Sequence, residues 1–380
     1  MPRVVIFTDK ILSPTQTFVQ SQVAALQEFS PQYVGLSPSV PSLEISGEPI
    51  LMTTDSSGAG YWRKELYKWA GIAPEFHARV KRTHADLIHA HFGENGTAAM
   101  WLAEATKLPL VLSLHGGAEI LPDATLRRER YNLPFYILRS RLWRRASLFI
   151  CVSEFVRQKA LDHGFPKEKL LVHYTGIDCS MFQPAPEARD ANLVVFVGRL
   201  VRYKAADHFL KAMQIVRQNL PNARAVVIGD GPLRPEYERM ARELGLDCSF
   251  LAHQPSLVVR DWIRKAAVFC APSQTSIADG RSEALGHVFL EAQAMGIPVV
   301  SYRHGGIPEA VCHEKTGLLA SEGDIPELAR YILRYLENPD YRHAAGARGI
   351  EWVRSNFDVH KQNAALEQSY SYVVERHKGG

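Results

Sequence analysis

Glu283 and Glu291 stand eight residues apart in the stretch SEALGHVFLEAQAMGIPVVS, Ser282–Ser301, with Gly286 between them. If both were helical they would lie about 80° apart, only loosely on one face. The apolar pattern instead opens a helix near Leu285–Gly286 and closes it at Met295-Gly296-Ile297-Pro298, which leaves Glu283 in the preceding loop. Two readings follow. In one, Glu283 caps the helix and Glu291 is a solvated helix residue. In the other, the first helical N–H groups, unpaired within the helix and at the positive end of its dipole, hold a phosphate. Gly286 then lets the ligand come close to the backbone. Glu291 accepts hydrogen bonds from ribose hydroxyls, and Glu283 from hydroxyls of whatever the phosphate carries. Spacing alone does not choose between them.

A diphosphate also needs cations. Gly198–Arg199 and Lys204 follow a strong strand pattern, and an arginine and a lysine at a strand end can both reach a diphosphate. Ordinary surface basicity is the plain alternative. No Asp-x-Asp pair occurs in the chain, so the sequence makes no case for a divalent metal clamping that diphosphate. Gly229-Asp230-Gly231-Pro232 follows a strand but is not the GxGxxG of a nicotinamide site. His89, His91 and His115 sit at two strand ends without further ligands at metal spacing. No GxSxG nucleophile elbow is present.

These groups need a scaffold to position them. Val4–Thr8, Asp86–Phe92, Leu110–Gly116 and Leu148–Ser153 read as buried strands separated by amphipathic segments. A second series follows: Leu193–Arg199, Ala223–Gly231, Ala266–Ser273 and Pro298–Tyr302. Apolar strands alternating with helices predict an α/β fold with two parallel sheets, each covered on both faces. Ligands of such sheets bind beyond the carboxyl ends of the strands, where HFGENG, HGGAE, GRLVRYK, GDGP, APSQTS and YRHGG all fall. The expected organisation is a first domain at 1–182, a linker at 183–192 rich in Pro, Ala and charge, a second domain at 193–355, and a C-terminal helix at 356–380 packing back on the first.

Bulk properties exclude several classes. At 380 residues, 46% hydrophobic and 22% charged, the chain is an ordinary globular protein of two or so domains. A net charge of +4 does not argue for nucleic acid. Five scattered cysteines, with no CxxC, argue against a disulfide framework or a zinc site and for a reduced cytoplasmic setting. No stretch reaches the ~20 apolar residues of a membrane span.

The motifs in their order resemble the retaining glycosyltransferases of family 4, with the GT-B fold, over nearly the whole chain. The resemblance is carried by SPTQTFVQSQVAAL (Ser13–Leu26), HAHFG (His89–Gly93), LHGG (Leu114–Gly117), VSEFVRQ (Val152–Gln158), YTGIDCSMFQP (Tyr174–Pro184), VGRLVRYKAADHFLKAM (Val197–Met213), VIGDGPL (Val227–Leu233), APSQT, and the two-glutamate stretch running into YRHGGIPE. It implies two Rossmann-like domains with sheets facing a central cleft, and a metal-independent hexosyltransferase with no cofactor beyond its nucleotide-diphospho-sugar donor. It assigns Arg199 and Lys204 to the diphosphate, Glu291 to the ribose, Glu283 to the donor sugar, amides around Leu285 and Gly286 to phosphate and sugar, and the region of His253 to the base. His115 matches the active-site histidine, and His91 and Glu119 are the candidates on the acceptor side. The acceptor would be a glycan or polyprenyl-diphosphate-linked sugar in exopolysaccharide or lipopolysaccharide assembly. The family transfers sugar by front-face attack, which needs no enzymic nucleophile.

Three departures bear on loop geometry. Ala205 replaces the usual glycine after the lysine, Glu283-Ala284-Leu285-Gly286 replaces Glu-Gly-aromatic-Gly, and Glu119 lies four residues past His115 rather than three. Thr125–Arg145 interleaves seven arginines with aromatic and aliphatic residues, and Tyr61–Gly71 adds tryptophans and lysines. Both suit docking on an anionic membrane at the inner face of the plasma membrane, or else two amphipathic helices with solvated arginines. A nucleotide-sugar epimerase and an inactive sugar-nucleotide-binding scaffold are the rival functions.

Overall fold

The computed structural model describes residues 1–13, 16–55, 58–185 and 189–379. Among these, thirteen strands form two sheets, and every strand pair is parallel. The first sheet holds β1 (Arg3–Ile11), β2 (Ser30–Pro38), β3 (Ile50–Leu51), β4 (Leu87–His91), β5 (Leu110–Leu114), β6 (Leu148–Cys151) and β7 (Leu170–Val172), in the order β3-β2-β1-β4-β5-β6-β7. The second holds β8 (Leu193–Val197), β9 (Arg224–Ile228), β10 (Cys248–Leu251), β11 (Val268–Cys270), β12 (Val299–Tyr302) and β13 (Gly317–Ala320), in the order β10-β9-β8-β11-β12-β13. Each sheet reverses its winding beside its first strand, between β1 and β4 and between β8 and β11. At such a switch point the flanking loops diverge and open a crevice beyond the carboxyl ends.

All eight strands expected from apolar runs are present. Five others are not visible as such runs. β2, SPQYVGLSP, is framed by Pro31 and Pro38, yet Tyr33–Ser37 are buried. It tolerates Pro31 because β3 pairs only with Val34 and Gly35, so no neighbour on that side needs the missing N–H. β3, β7, β10 and β13 are two to four residues long, too short to show a period. All five cysteines are free thiols.

The chain divides into two compact units, Met1–Gly176 with Val359–Gly380, and Ile177–Asp358. The first crossing therefore precedes the expected linker at 183–192. Residues 186–188 of that segment lie outside the described residues. Of the remainder, Arg189 donates to the Met295 and Gly296 carbonyls at 3.0 Å each, and Asp190 N–H donates to Lys265 O at 2.8 Å. This stretch is thus packed on the second unit.

The C-terminal helix Val359–Lys378 belongs to the first unit. Leu366, Tyr370 and Val373 join the core cluster of Val4, Ile6, Val19 and Phe29. A polar lock sits beside it. The buried Glu367 carboxylate accepts the backbone N–H groups of Gln27, Glu28 and Phe29 at 2.9, 2.7 and 2.9 Å. Asn363 donates to Gln22 O at 2.6 Å. Removing Glu367 would orphan three amides at once. Glu367→Ala is expected to cost about 3–5 kcal/mol of unfolding free energy in urea titrations, with Glu367→Gln costing less. A loss under ~1 kcal/mol for the alanine variant would show that the helix is not held there.

Candidate active site

In the second unit the loop after β8 turns through Arg202–Lys204 into Ala205, which sits in the left-handed region at φ 50°. A non-glycine residue there costs roughly 1–2 kcal/mol. The alanine at this departure from the family pattern therefore adopts a conformation that glycine takes without strain. The turn sends Lys204 inward, where its ammonium pairs with the Glu283 carboxylate. The side chains are only 18% and 12% exposed, so neither charge could persist there alone. Burial works against the Lys204 charge, but the Glu283 carboxylate outweighs it and the pKa is raised. Burial likewise opposes the Glu283 charge, and Lys204, with a hydrogen bond from Ser273 Oγ at 2.9 Å, outweighs it and holds the pKa down.

The backbone around Glu283 is fixed by the YRHGG loop that follows β12. Glu283 N–H donates to His304 Nε2 at 3.4 Å, and His304 Nδ1 faces Glu322 Oε2 at 3.1 Å. Glu322 Oε1 in turn accepts from Thr275 N–H at 2.6 Å. Gly306 N–H donates to Glu283 O at 2.9 Å, and a Cβ on Gly306 would fall 1.9 Å from Ala284 O. Only glycine permits that approach. Ser273, His304 and Glu322 were not singled out from sequence. Their only signal was position at a strand end or, for Glu322, none.

Helix His287–Ala294 starts at Gly286, whose φ of 87° turns the chain so that the first helical amides follow directly on the Glu283 loop. Leu285 is buried beneath it. Glu291, within that helix, is pushed up to about 7 by burial. A solvated helix glutamate would not be. Arg199 lies exposed on the β8 loop, donating to Tyr203 Oη at 2.9 Å. His253 is exposed beyond the end of β10, two strands out from β8. Lys204, Glu283, Leu285 and Gly286 are thus brought together, Arg199 stands on the same loop as Lys204, and His253 stands apart.

In the first unit, His91 ends β4 and His115 follows β5, and their rings stack at 5.3 Å with Nδ1 of His91 3.1 Å from Nε2 of His115. Glu119 is 1% exposed and committed to backbone. Its Oε1 accepts from Gly116 and Gly117 N–H at 2.7 and 3.1 Å, and its Oε2 from Gly93 N–H at 3.1 Å. It ties the loops after β4 and β5 together. Burial, then the Glu119 charge, pushes its neighbour Glu94 up to about 7, and Glu94 accepts from Ala118 N–H at 3.3 Å. His91 and Glu119, both expected on the acceptor side, are buried, so each acts through the groups it holds.

The arginine-rich segment is less available than its sequence implies. Arg139 forms a two-point pair with Asp123 at 2.6 and 3.0 Å, Arg141 one with Glu104 at 3.0 and 2.7 Å, and Arg145 donates to the Ala103 and Leu108 carbonyls at 2.7 and 2.6 Å. By contrast, helix Gly58–Ala70 and the residues just past it expose Trp62 (67%), Leu66 (61%), Trp69 (39%) and Ile72 (74%). No helix among the described residues is long and apolar enough to cross a membrane.

Two doubly wound parallel sheets, with buried polar clusters and glycine turns at their carboxyl ends, define an α/β fold of the GT-B type. Residues 30–181 match the family model for Glycosyltransferase Family 4, and residues 180–352 match that for Glycosyl transferases group 1. The chain is 29% identical over 306 residues to a GDP-mannose-dependent alpha-(1-6)-phosphatidylinositol monomannoside mannosyltransferase of Mycolicibacterium smegmatis, covering 76% of this chain and 80% of the relative. It is 31% identical over 264 residues to the amylovoran biosynthesis glycosyltransferase AmsK of Erwinia amylovora, covering 68% of this chain and 63% of AmsK. Among solved structures, Anabaena HepE in complex with UDP and glucose superposes with a TM-score of 0.76 at 20% identity, over 98% of this chain and all of HepE. The chain belongs to the family 4 glycosyltransferases and is a glycosyltransferase.

Glu291 allows a test of the site that needs no ligand. Its folded pKa lies above the unfolded value, so between about 4.5 and 7 the folded state binds a proton that the unfolded state has released. Stability from this group therefore falls as pH rises through that window and stays low above it. Glu291→Gln is expected to match wild type near pH 4.5 and to be more stable above pH 7 by on the order of 1–3 kcal/mol. Melting temperatures of both proteins across that range check this. A difference independent of pH would mean that Glu291 is solvated.

Proposed function

We propose that the enzyme takes a hexose from a nucleotide-diphospho-sugar, a UDP- or GDP-sugar, held on the second unit. It transfers the sugar with retention of configuration to a glycan or polyprenyl-diphosphate-linked acceptor in surface-polysaccharide assembly. The observation that carries this reading is the buried Lys204–Glu283 pair directly before the Gly286 helix start. It offers a cation for a diphosphate and an anion for sugar hydroxyls side by side. The names of the relatives, one GDP-mannose-dependent and one of amylovoran biosynthesis, agree with it.

In the proposed reaction the acceptor hydroxyl oxygen bonds to the anomeric carbon on the face from which the diphosphate departs. The glycosidic C–O bond to phosphate breaks with its electron pair going to the phosphate oxygen, and the acceptor proton passes to that leaving group. Negative charge grows on the departing phosphate, where Lys204, Arg199 and the first amides of helix His287–Ala294 stabilise it without reorganising. Glu291, once deprotonated, accepts the ribose hydroxyls. Glu283 accepts hydroxyls of the transferred sugar and holds Lys204 charged. His115 is the residue that the family resemblance assigns to that sugar.

Thermal shift with UDP, GDP, ADP and CMP tests the donor reading. One nucleoside diphosphate at a hundredfold excess over its Kd is expected to stabilise the protein by ~2.7 kcal/mol. Lys204→Ala should remove most of that shift, and Glu283→Ala should abolish transfer while the protein stays folded. Absence of a shift with all four nucleotides, or full turnover in Glu283→Ala, would sink the assignment.

For the membrane, of the two segments that suit docking, helix Gly58–Ala70 is favoured over Thr125–Arg145 as the docking face. Its exposed Trp62, Leu66 and Trp69 recur on one stripe, and Arg63 and Arg79 line a neighbouring hollow with Met52 and Phe76. Tryptophans at an interface and arginines beside anionic headgroups suit such a surface. In co-sedimentation with vesicles rich in anionic lipid, Trp62→Ser/Trp69→Ser should lose binding that Arg128→Glu/Arg144→Glu largely keeps. Equal retention by both variants would overturn this choice.

A further inference from the structure

Both backbone polar groups of Glu283 are gripped by one loop. Its carbonyl accepts from Gly306 N–H at 2.9 Å, and its N–H donates to His304 Nε2 at 3.4 Å. On the other side of the same ring, His304 Nδ1 lies 3.1 Å from Glu322 Oε2 and 3.4 Å from Thr275 Oγ1. His304 is 5% exposed, so these neighbours decide where its proton sits. A backbone amide can only donate, so Nε2 must offer a lone pair. A carboxylate can only accept, so Nδ1 must carry the proton. The threonine hydroxyl can give or take and does not decide the matter. Moving the proton to Nε2 would set N–H against N–H on one side of the ring and lone pair against lone pair on the other. Adding a second proton would still set an N–H against the Glu283 amide. An obligate donor and an obligate acceptor, facing different nitrogens, leave a single state that satisfies both.

We propose that His304 is a positioning residue: as the neutral Nδ1–H tautomer it donates to Glu322 and accepts the Glu283 N–H at Nε2, and so holds Glu283 in the orientation that meets the donor sugar. The last clause rests on the reading of Glu283 as a sugar-contacting group; the placement of the proton does not.

The relay has a direction. Glu322 draws the Nδ1 proton, which strengthens Nε2 as the acceptor for Glu283. Oε1 of Glu322 accepts Thr275 N–H at 2.6 Å, so the same carboxylate also fixes the loop after β11. From that loop Ser273 Oγ donates to Glu283 Oε2 at 2.9 Å. Glu283 is therefore held at its amide through His304 and at its carboxylate through Ser273 and Lys204, and Glu322 braces the first two of these supports. Loss of the Nε2 acceptor would strip the Glu283 N–H of this partner and loosen the peptide that aims the carboxylate. The cations offered to the diphosphate, Lys204 and Arg199, come from the loop after β8. A change at His304 should thus act on turnover more than on nucleotide binding.

The test is a two-bond nitrogen–proton correlation spectrum, at neutral pH, of the full chain labelled with ¹⁵N-histidine, His304 being assigned by its disappearance in His304→Gln. The expected wild-type result is the Nδ1–H pattern at His304. An Nε2–H or doubly protonated pattern there overturns the proposal, whether or not any variant folds. Two substitutions then separate the two ring nitrogens. A glutamine oxygen can reach the place of Nε2, and an asparagine amide that of Nδ1. His304→Gln keeps an acceptor for Glu283 and should retain most of kcat. His304→Asn keeps only the donor to Glu322 and should lower kcat roughly tenfold, equivalent to ~1.4 kcal/mol at the transition state, with the thermal shift by the nucleoside diphosphate nearly intact. Folded His304→Asn with wild-type kcat, or folded His304→Gln as slow as His304→Asn, overturns the positioning role. A wild type that shows neither nucleotide shift nor transfer fails the donor reading instead, and the spectrum alone then decides the placement of the proton.

Discussion

A lysine ammonium and a glutamate carboxylate can both be buried only if each neutralises the other. The Lys204–Glu283 pair is where this constraint shapes the second unit. Neither partner is near the other in sequence. To bring them together, the chain turns through a left-handed alanine after β8, sets Ser273 after β11 as a second donor to the carboxylate, and buttresses the Glu283 backbone from the loop after β12. Gly306 must be glycine for that buttress to seat. The helix that opens at Gly286 is aimed by the same loop. Removing one charge would leave the other desolvated and unpaired, so the pair organises three strand ends at once.

The first unit solves a parallel problem with neutral groups. In its histidine stack burial keeps His89 and His91 uncharged. Order comes instead from hydrogen bonds to hydroxyls, from aromatic packing, and from Glu119, whose carboxylate gathers three amides from the loops after β4 and β5. The returning helix completes the arrangement through Tyr370, while its Glu367 gathers three more amides at the start of β2. Buried carboxylates here serve the backbone.

Much of the fold was legible because fully buried parallel strands are continuous apolar runs. VVIFT and LVVFV declare themselves in this way. β2 did not, because its prolines and glycine interrupt the run and only its place beside β1, with a two-residue neighbour, makes them harmless. The candidate cluster was visible in outline where a charged residue follows a strand, as Arg199 and Lys204 follow β8. It was illegible where a residue acts by holding another. His304 and Glu322 brace Glu283 through backbone contacts that leave no local pattern. In the basic segment the sequence alone does not tell which arginines are occupied. Its arginines look like a free cationic surface until Asp123, Glu104 and two carbonyls are found to occupy three of them.

By itself the sequence determined the class of architecture, the strands that carry chemistry, and the helix start between the two glutamates. These follow from local periodicity and from residues a turn or two apart. Only the tertiary structure decided which side chains meet. Lys204 and Glu283 are 79 positions apart, and His89 and Tyr370 are 281 apart. Whether such residues touch depends on strand order, register and loop closure summed over the whole sheet. For the same reason the ionisation of Glu291 belongs to the fold. Burial sets the cost of a charge, and burial is a property that no short stretch of chain possesses alone.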